Sequence, residues 1–315
     1  EAEAFEFLCP ADSDKFRLGV VNDSSLEFAG TGSPTVTEGA EDDWRDTAPT
    51  VAAGQSLTVK FPVKAHEAGL NEMLVLTTPT TATAGDLLVS VNGSSVGRIA
   101  AEPGKSTCLL VKGGLLTDGE NTLVLANPGA TAVALDCVAL GGSWQVGRAN
   151  TSGSEFAGGS SGLKDGYRVG DTNWATRVKA NLHCGRQQSN TNFVLRFTVP
   201  QDLCACAERL RFSVKCYPAT ESKWSDIARN HEFRVLVNGA TQGLFTVVRG
   251  AGWKEHVVDI PMDVLTPGGE CSIGLYEETP PWYPDDDVKY YAWTQFDYYR
   301  LEIRGNRTGT VLLFR

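Results

Sequence analysis

The 315-residue sequence has only two Met and four His, fewer basic residues (28 Lys and Arg) than acidic ones (38 Asp and Glu), and no long apolar run. A bilayer-crossing helix needs about 20 consecutive apolar residues, so no membrane insertion is expected. A net charge of -10 supplies no positive field for a phosphate backbone, which sets nucleic acid aside as a partner. Helical periodicity is scarce as well, almost no window sustaining it for three turns. Missing too are a Gly-x-Ser-x-Gly elbow, a His-Glu-x-x-His helix and a phosphate loop. The four histidines, His66, His183, His231 and His256, have no partners at recognisable spacing.

What is present is a duplication. Leu18-Gly19-Val20-Val21-Asn22-Asp23-Ser24-Ser25-Leu26-Glu27-Phe28-Ala29-Gly30 returns as Val146-Gly147-Arg148-Ala149-Asn150-Thr151-Ser152-Gly153-Ser154-Glu155-Phe156-Ala157-Gly158. Further matches follow in the same order. Val89-Ser90-Val91-Asn92-Gly93 answers Val235-Leu236-Val237-Asn238-Gly239, Leu116-Thr117-Asp118-Gly119-Glu120 answers the segment 265–270, and Asp136-Cys137-Val138-Ala139-Leu140 answers Asp297-Tyr298-Tyr299-Arg300-Leu301. Two copies of one pattern obey one set of backbone constraints, so the repeat outranks local propensity. It implies two domains, 8–142 and 143–305, each long enough for its own core. Residues 1–7 read as the remnant of a secretion leader plus a cloning site and are expected to lie outside the fold, and 306–315 as a tail.

Both halves consist of short alternating runs punctuated by Gly, Pro, Asn and Asp. Strands are expected near 15–21, 55–63, 71–77, 86–92, 96–100, 107–111, 121–126 and 134–140 in the first copy. In the second they are expected near 144–149, 191–199, 208–216, 232–238, 242–248, 255–260, 270–276 and 294–303. Asn92-Gly93 and Asn238-Gly239 after alternating apolar residues are hairpin signals. The fold class is therefore all-β, two tandem antiparallel jelly-roll β-sandwiches.

Eight cysteines, together with sequons at Asn22, Asn92, Asn150 and Asn306, point to a secreted, disulfide-containing glycoprotein. Domain one holds Cys9, Cys108 and Cys137; domain two holds Cys184, Cys204, Cys206, Cys216 and Cys271. Both counts are odd, so either one bridge crosses between domains or two thiols stay free. Cys108 and Cys137 are the expected pair within domain one, and Cys9 the crossing candidate. Cys204-Ala205-Cys206 lacks a second Cys or His pair at metal-ligand spacing.

Function is expected where the copies differ, because shared positions maintain the shared fold. Domain two inserts 217–231 and 277–293, and it carries the long segment 157–190. Counting reversals of chain direction places these segments and the 249–254 turn at one end of the sandwich. Trp174, Trp224, Trp253 and Trp282 would gather there with Tyr283, Asp226, Arg229 and Glu277. Aromatic faces cover the C–H face of a pyranose while carboxylates and Arg bond its hydroxyls, so this set is the candidate glycan or polysaccharide site. Trp293 and Tyr299 are expected to be core.

The Gly-x-x-Asn-x-Ser-x-x-Glu-Phe opening, the Val-x-Val-Asn-Gly hairpin and the closing Asp297-Tyr298-Tyr299-Arg300-Leu301-Glu302 resemble the galactose-binding-like jelly rolls found as carbohydrate-binding modules and as accessory domains of polysaccharide-degrading enzymes. The resemblance implies carbohydrate binding, the context of a larger multidomain enzyme, and structural calcium (Ca2+) held by Glu27 with Asp136 and by Glu155 with Asp297. A second resemblance is to the two-jelly-roll peptide N-glycosidases. Lys223-Trp224-Ser225-Asp226 is similar to their Trp-Asp loop, offset by one residue, and Tyr276-Glu277-Glu278-Thr279 to their strand-end Glu. That likeness implies Asp226 and Glu278 as catalytic acids. Three classes stand open: a secreted carbohydrate-binding module, a glycan-acting hydrolase or lyase, and a cell-surface adhesion protein.

Overall fold

The computed structural model describes residues 4–8, 14–19, 21–23, 35–38, 50–147, 168–169, 181–184, 192–220, 230–248, 250–278 and 292–306. The chain divides into two compact units. The first comprises residues 13–143, 200–209 and 302–315; the second comprises 1–12, 144–199 and 210–301. The main division falls at Ser143/Trp144.

In the first unit, one sheet runs β3 (Thr35–Glu38), β5 (Ser56–Val63), β10 (Gly119–Ala126), β7 (Gly85–Val91), β8 (Ser94–Ala101). The other runs β2 (Asp14–Leu18), β12 (Cys137–Gly141), β6 (Glu72–Thr77), β9 (Ser106–Val111). A short pair, β4 (Thr50–Val51) with β11 (Val133–Ala134), joins them in the same unit. In the second unit the corresponding sheets are β16 (Asn192–Thr198), β21 (Glu270–Glu277), β18 (His231–Val237), β19 (Ala240–Val247), and β13 (Trp144–Gly147), β22 (Ala292–Asn306), β17 (Ala207–Thr220), β20 (Lys254–Pro261). Numbered one to eight along each repeat, the strands pair 2-7-4-5 and 1-8-3-6 in both units. That order is the jelly roll of two Greek keys. Every strand expected from the sequence has a counterpart in this set.

Period-two alternation drives the packing. In β5, Leu57, Val59, Phe61 and Val63 are buried; in β18, Phe233, Val235 and Val237 are. The first core centres on Phe16 against Phe61, ring centroids 4.9 Å apart. The second contains Phe212 stacked on Tyr299 at 6.5 Å, and the expected core position of Tyr299 is met. The side chain of Trp293 lies outside the described residues.

The hairpin signals repeat atom by atom. Asn92 and Asn238 have φ of 49° and 48°, with Gly93 and Gly239 at 78° and 82°. Asn92 Nδ2 donates to the Leu115 carbonyl while its Oδ1 accepts from the Thr122 N–H, each at 2.9 Å. Asn238 does the same with Val264 at 3.0 Å and Ser272 at 2.9 Å. Both hairpins carry the same irregularity, after Val89 and after Val235, opposite Gly97 and Gly243. The two Asn-Gly pairs match in sequence because each Asn side chain bonds the same two places, the neighbouring strand and the segment leading into it.

Three features depart from the expectations. Residues 4–7, within the 1–7 segment expected to lie outside the fold, form β1 (Ala4–Leu8) together with Leu8, parallel to β16 and antiparallel to β14 (Arg168–Val169). A short helix, α1 (Gln201–Cys206), follows Pro200 where no helix was expected; six residues are too few to show a helical period. It packs on β6 and β9 and buries Leu203, Cys204 and Cys206. β6 is consequently buried on both faces, which explains its continuous apolar run Met73-Leu74-Val75-Leu76. Finally, Cys137 and Cys108 do not pair. Cys137 faces Thr77 and Cys108 faces Val75 across opposite edges of β6, so two strand spacings of about 4.8 Å separate them, beyond disulfide reach.

The first unit also holds a buried charge cluster. Lys15 Nζ lies 3.1 Å from Glu67 and 3.5 Å from Glu72, and Glu72 Oε2 accepts the Ser143 N–H at 3.1 Å. Burial pushes the Glu72 carboxyl up to about 8 against the pull of Lys15. Burial opposes the Lys15 charge, yet Glu72 and Glu67 outweigh it and hold the ammonium above its ordinary value.

Candidate functional site

Strand register settles where the inserted segments attach. Glu277 at the end of β21 pairs with Phe233 near the start of β18, and His231 pairs with Val247 at the end of β19. Phe193, at the start of β16, pairs with Leu275. The chain leading into β16 and β18, the turn after β19 and the chain leaving β21 therefore share one end of the second unit. Trp174, Trp224, Asp226, Arg229, Trp282 and Tyr283 lie outside the described residues. Glu277 is described only as the last residue of β21.

Trp253 is described, and it has a partner that the sequence reading did not select. It is half-buried in the turn before β20, between Gly252 at φ 70° and Lys254, and its ring meets Tyr217 of β17 with centroids 5.5 Å apart at 32°. Tyr217 is half-buried as well. Such a pair leaves part of two aromatic surfaces open at the shared end, beside the insertions.

From there the outward face of β17, β20 and β22 continues as a polar strip. The Tyr298 hydroxyl donates to Glu255 Oε1 at 2.7 Å. The Arg300 guanidinium lies over the Tyr298 ring, 4.6 Å from its centroid, and its Nε donates to Gln145 Oε1 at 2.9 Å. Lys215 Nζ lies 5.9 Å from the same ring. Burial, reinforced by the hydrogen bond to Glu255, raises the Tyr298 phenol well above its ordinary value, so it remains a neutral donor. A signal for Tyr298 was present in the sequence: once Tyr299 is core, period two sends Tyr298 and Arg300 to the opposite face.

Glu278 is exposed. Its carboxylate is paired with Arg234 of β18, and its N–H donates to the Glu232 carbonyl at 2.7 Å. The position is thus tied to the strand ladder. Behind it, His231, Phe233, Phe245 and His256 form a row of stacked rings with successive centroids 6.5, 5.2 and 4.6 Å apart. Burial and the Lys254 ammonium lower the proton affinity of His256.

The calcium expectation divides between the units. Asp297 is fully buried, and Lys215 Nζ lies 2.7 Å from its Oδ2. That ammonium supplies the buried Asp297 carboxylate with a counter-charge. Asp136 is buried too, and its Oδ2 accepts the Asp23 N–H at 3.2 Å. Glu27 and Glu155 lie outside the described residues, and no group of three or more acidic, His or Cys side chains stands together among the described ones.

No family model matches this sequence, and no curated protein does. Solved structures similar to it include the tandem CBM51 modules of Sp3GH98, a family 98 glycoside hydrolase from Streptococcus pneumoniae, with 9% identity and a TM-score of 0.24 over 91% of this chain and 96% of that one. The tandem CBM22 modules of Xyn10C from Paenibacillus barcinonensis match with 14% identity and a TM-score of 0.23, over 86% of this chain and 92% of that one. A structure of ZmpB from Clostridium perfringens, an M60 catalytic domain with two CBM51 domains, matches with 10% identity and a TM-score of 0.23 over 87% of this chain. This chain spans 37% of that structure's length. These neighbours include carbohydrate-binding modules. Strand order carries the fold assignment. No helix among the described residues is long and apolar enough to cross a membrane.

Proposed function

We propose that the second unit is an extracellular carbohydrate-binding module, serving a larger glycan-active protein, and that its site begins at the Tyr217 and Trp253 pair. The observation that carries this reading is the half-buried aromatic pair continuous with the Tyr298, Glu255 and Arg300 strip. The rings offer apolar surface for a sugar face. Glu255 accepts hydroxyl protons and Arg300 donates, while the buried Tyr298 and Gln145 hold these two in place, which is the mixture of apolar and convergent polar groups that sugar sites need. Trp224, Trp282, Tyr283, Asp226 and Arg229 extend the site from the adjoining segments in this reading.

The test is a glycan and polysaccharide array with the intact protein and a Trp253→Ala, Tyr217→Ala variant. Saturable binding that falls by about tenfold or more in the variant is expected, since truncation of anchoring aromatics dominates such losses. Unchanged binding removes this site, and release of product abolished by Asp226→Asn or Glu278→Gln would replace the module by an enzyme. Calcium is kept as a proposal for Asp136 with Glu27 alone, where it would neutralise a buried carboxylate. A chelator should then lower the thermal midpoint of the wild type and leave Asp136→Asn unmoved.

A further inference from the structure

The first unit brings together two thiols that lie 98 positions apart in sequence. Cys108 stands on β9 and is half-buried; Cys206 is the last residue of α1 and is fully buried where the helix packs on β6 and β9. The Cys108 sulfur lies 3.6 Å from the Cys206 carbonyl oxygen. The neighbouring Cys206 side chain lowers the Cys108 pKa against the opposing effect of burial. Cys137 has no such access to Cys108, because β6 stands between them.

We propose that Cys108 and Cys206 close a disulfide that staples α1 to β9. The partly open Cys108 is the sulfur a solution oxidant reaches, and Cys206 is held behind it as the resolving thiol. With a small-molecule disulfide of the oxidised-glutathione class as oxidant, Cys108 gives up its proton and attacks. A mixed disulfide forms and one thiolate leaves. Cys206 then gives up its proton and attacks the Cys108 sulfur, the intramolecular S–S bond forms, and the second thiolate leaves. The protein loses two protons and two electrons, and the oxidant is reduced to two thiols. Cys216 is poorly suited to compete, since burial raises its thiol pKa far above the ordinary value.

The consequence is topological. Residues 200–209 belong to the first unit although the sequence on either side belongs to the second, so the staple fixes this excursion covalently. It closes a long loop of the unfolded chain, the arrangement in which a cross-link restricts that state most.

The experiment uses the whole chain produced through an oxidising secretory pathway. The protein is alkylated with iodoacetamide without reduction, digested and analysed by mass spectrometry. The expected result is one linked peptide pair containing Cys108 and Cys206, separated by dithiothreitol. Alkylation of both residues without reduction overturns the proposal, as does a peptide joining Cys108 to any other cysteine. Thermal midpoints supply a second readout. Dithiothreitol should lower the wild-type midpoint by several degrees, whereas Cys108→Ser and Cys206→Ser should both start low and respond less. A Cys108→Ser protein that keeps the full response to reductant overturns the staple.

Discussion

The outward faces of the two 1-8-3-6 sheets begin from the same repeat and end with different chemistry. In the first unit, Cys137 and Ala139 of β12 are both buried, and α1 packs over the neighbouring β6 and β9. In the second, the matching positions are Tyr298, buried but hydrogen-bonded through its hydroxyl, and the half-buried Arg300, which join Glu255, Gln145 and Lys215 in a polar strip leading to Tyr217 and Trp253. The inward faces stay apolar in both, with Val138 and Leu140 answering Tyr299 and Leu301. Duplication thus conserves the side of a strand that builds the core and frees the side that does not.

The sharpest way to break this comparison is to exchange the outward residues. Ala139→Arg places a charge and a long side chain at a site only 2% exposed, and should destabilise the protein by about 3 kcal/mol or more, measured by denaturant unfolding. Arg300→Ala should cost about 1 kcal/mol or less in the same assay while weakening glycan binding. Equal stability losses would mean that the two faces do not differ as described.

The hairpins supply the opposite control, a place where the copies should behave alike. Asn92→Ala and Asn238→Ala each remove bonds to a neighbouring strand and place Ala at positive φ. Each should cost about 1–3 kcal/mol, with similar values for the two. A loss confined to one copy would break the equivalence. Asn92 Nδ2 also donates to Asn121 Oδ1 at 2.7 Å, so both of its amide protons are used and its sequon should carry no glycan in the folded protein. Peptide mapping after deglycosylation checks this.

A pH-dependent effect concerns the charge cluster of Lys15, Glu67 and Glu72 in the first unit. With the Glu72 carboxyl raised from 4.5 to about 8, the folded state binds a proton that the unfolded state has released. Its contribution is fully present below pH 4.5 and is lost as pH rises toward 8. Denaturant midpoints should therefore carry a downward component across that window, and Glu72→Gln should flatten it. A wild-type profile unaffected by the substitution would assign the slope to other groups.

Much of the fold is legible in the sequence. Phe61, Val89 and Phe233 announce their burial because alternation along a strand is a local property, and Asn92-Gly93 and Asn238-Gly239 announce their turns because positive φ restricts residue choice locally. The candidate site was legible in part. Trp253 was chosen from its place in a turn. Tyr217 is not legible as its partner, because nothing in its own segment says that a ring 36 positions away will meet it.

The sequence by itself determined the duplication, the strands, the two hairpins and the inward faces, since each follows from spacing over a few residues or from one copy constraining the other. Tertiary structure alone decided that Lys215 neutralises Asp297, that α1 covers β6, and that Cys108 meets Cys206 and not Cys137. These are contacts between segments far apart in the chain. Their geometry is set by which strand lies between which, and no local period records it.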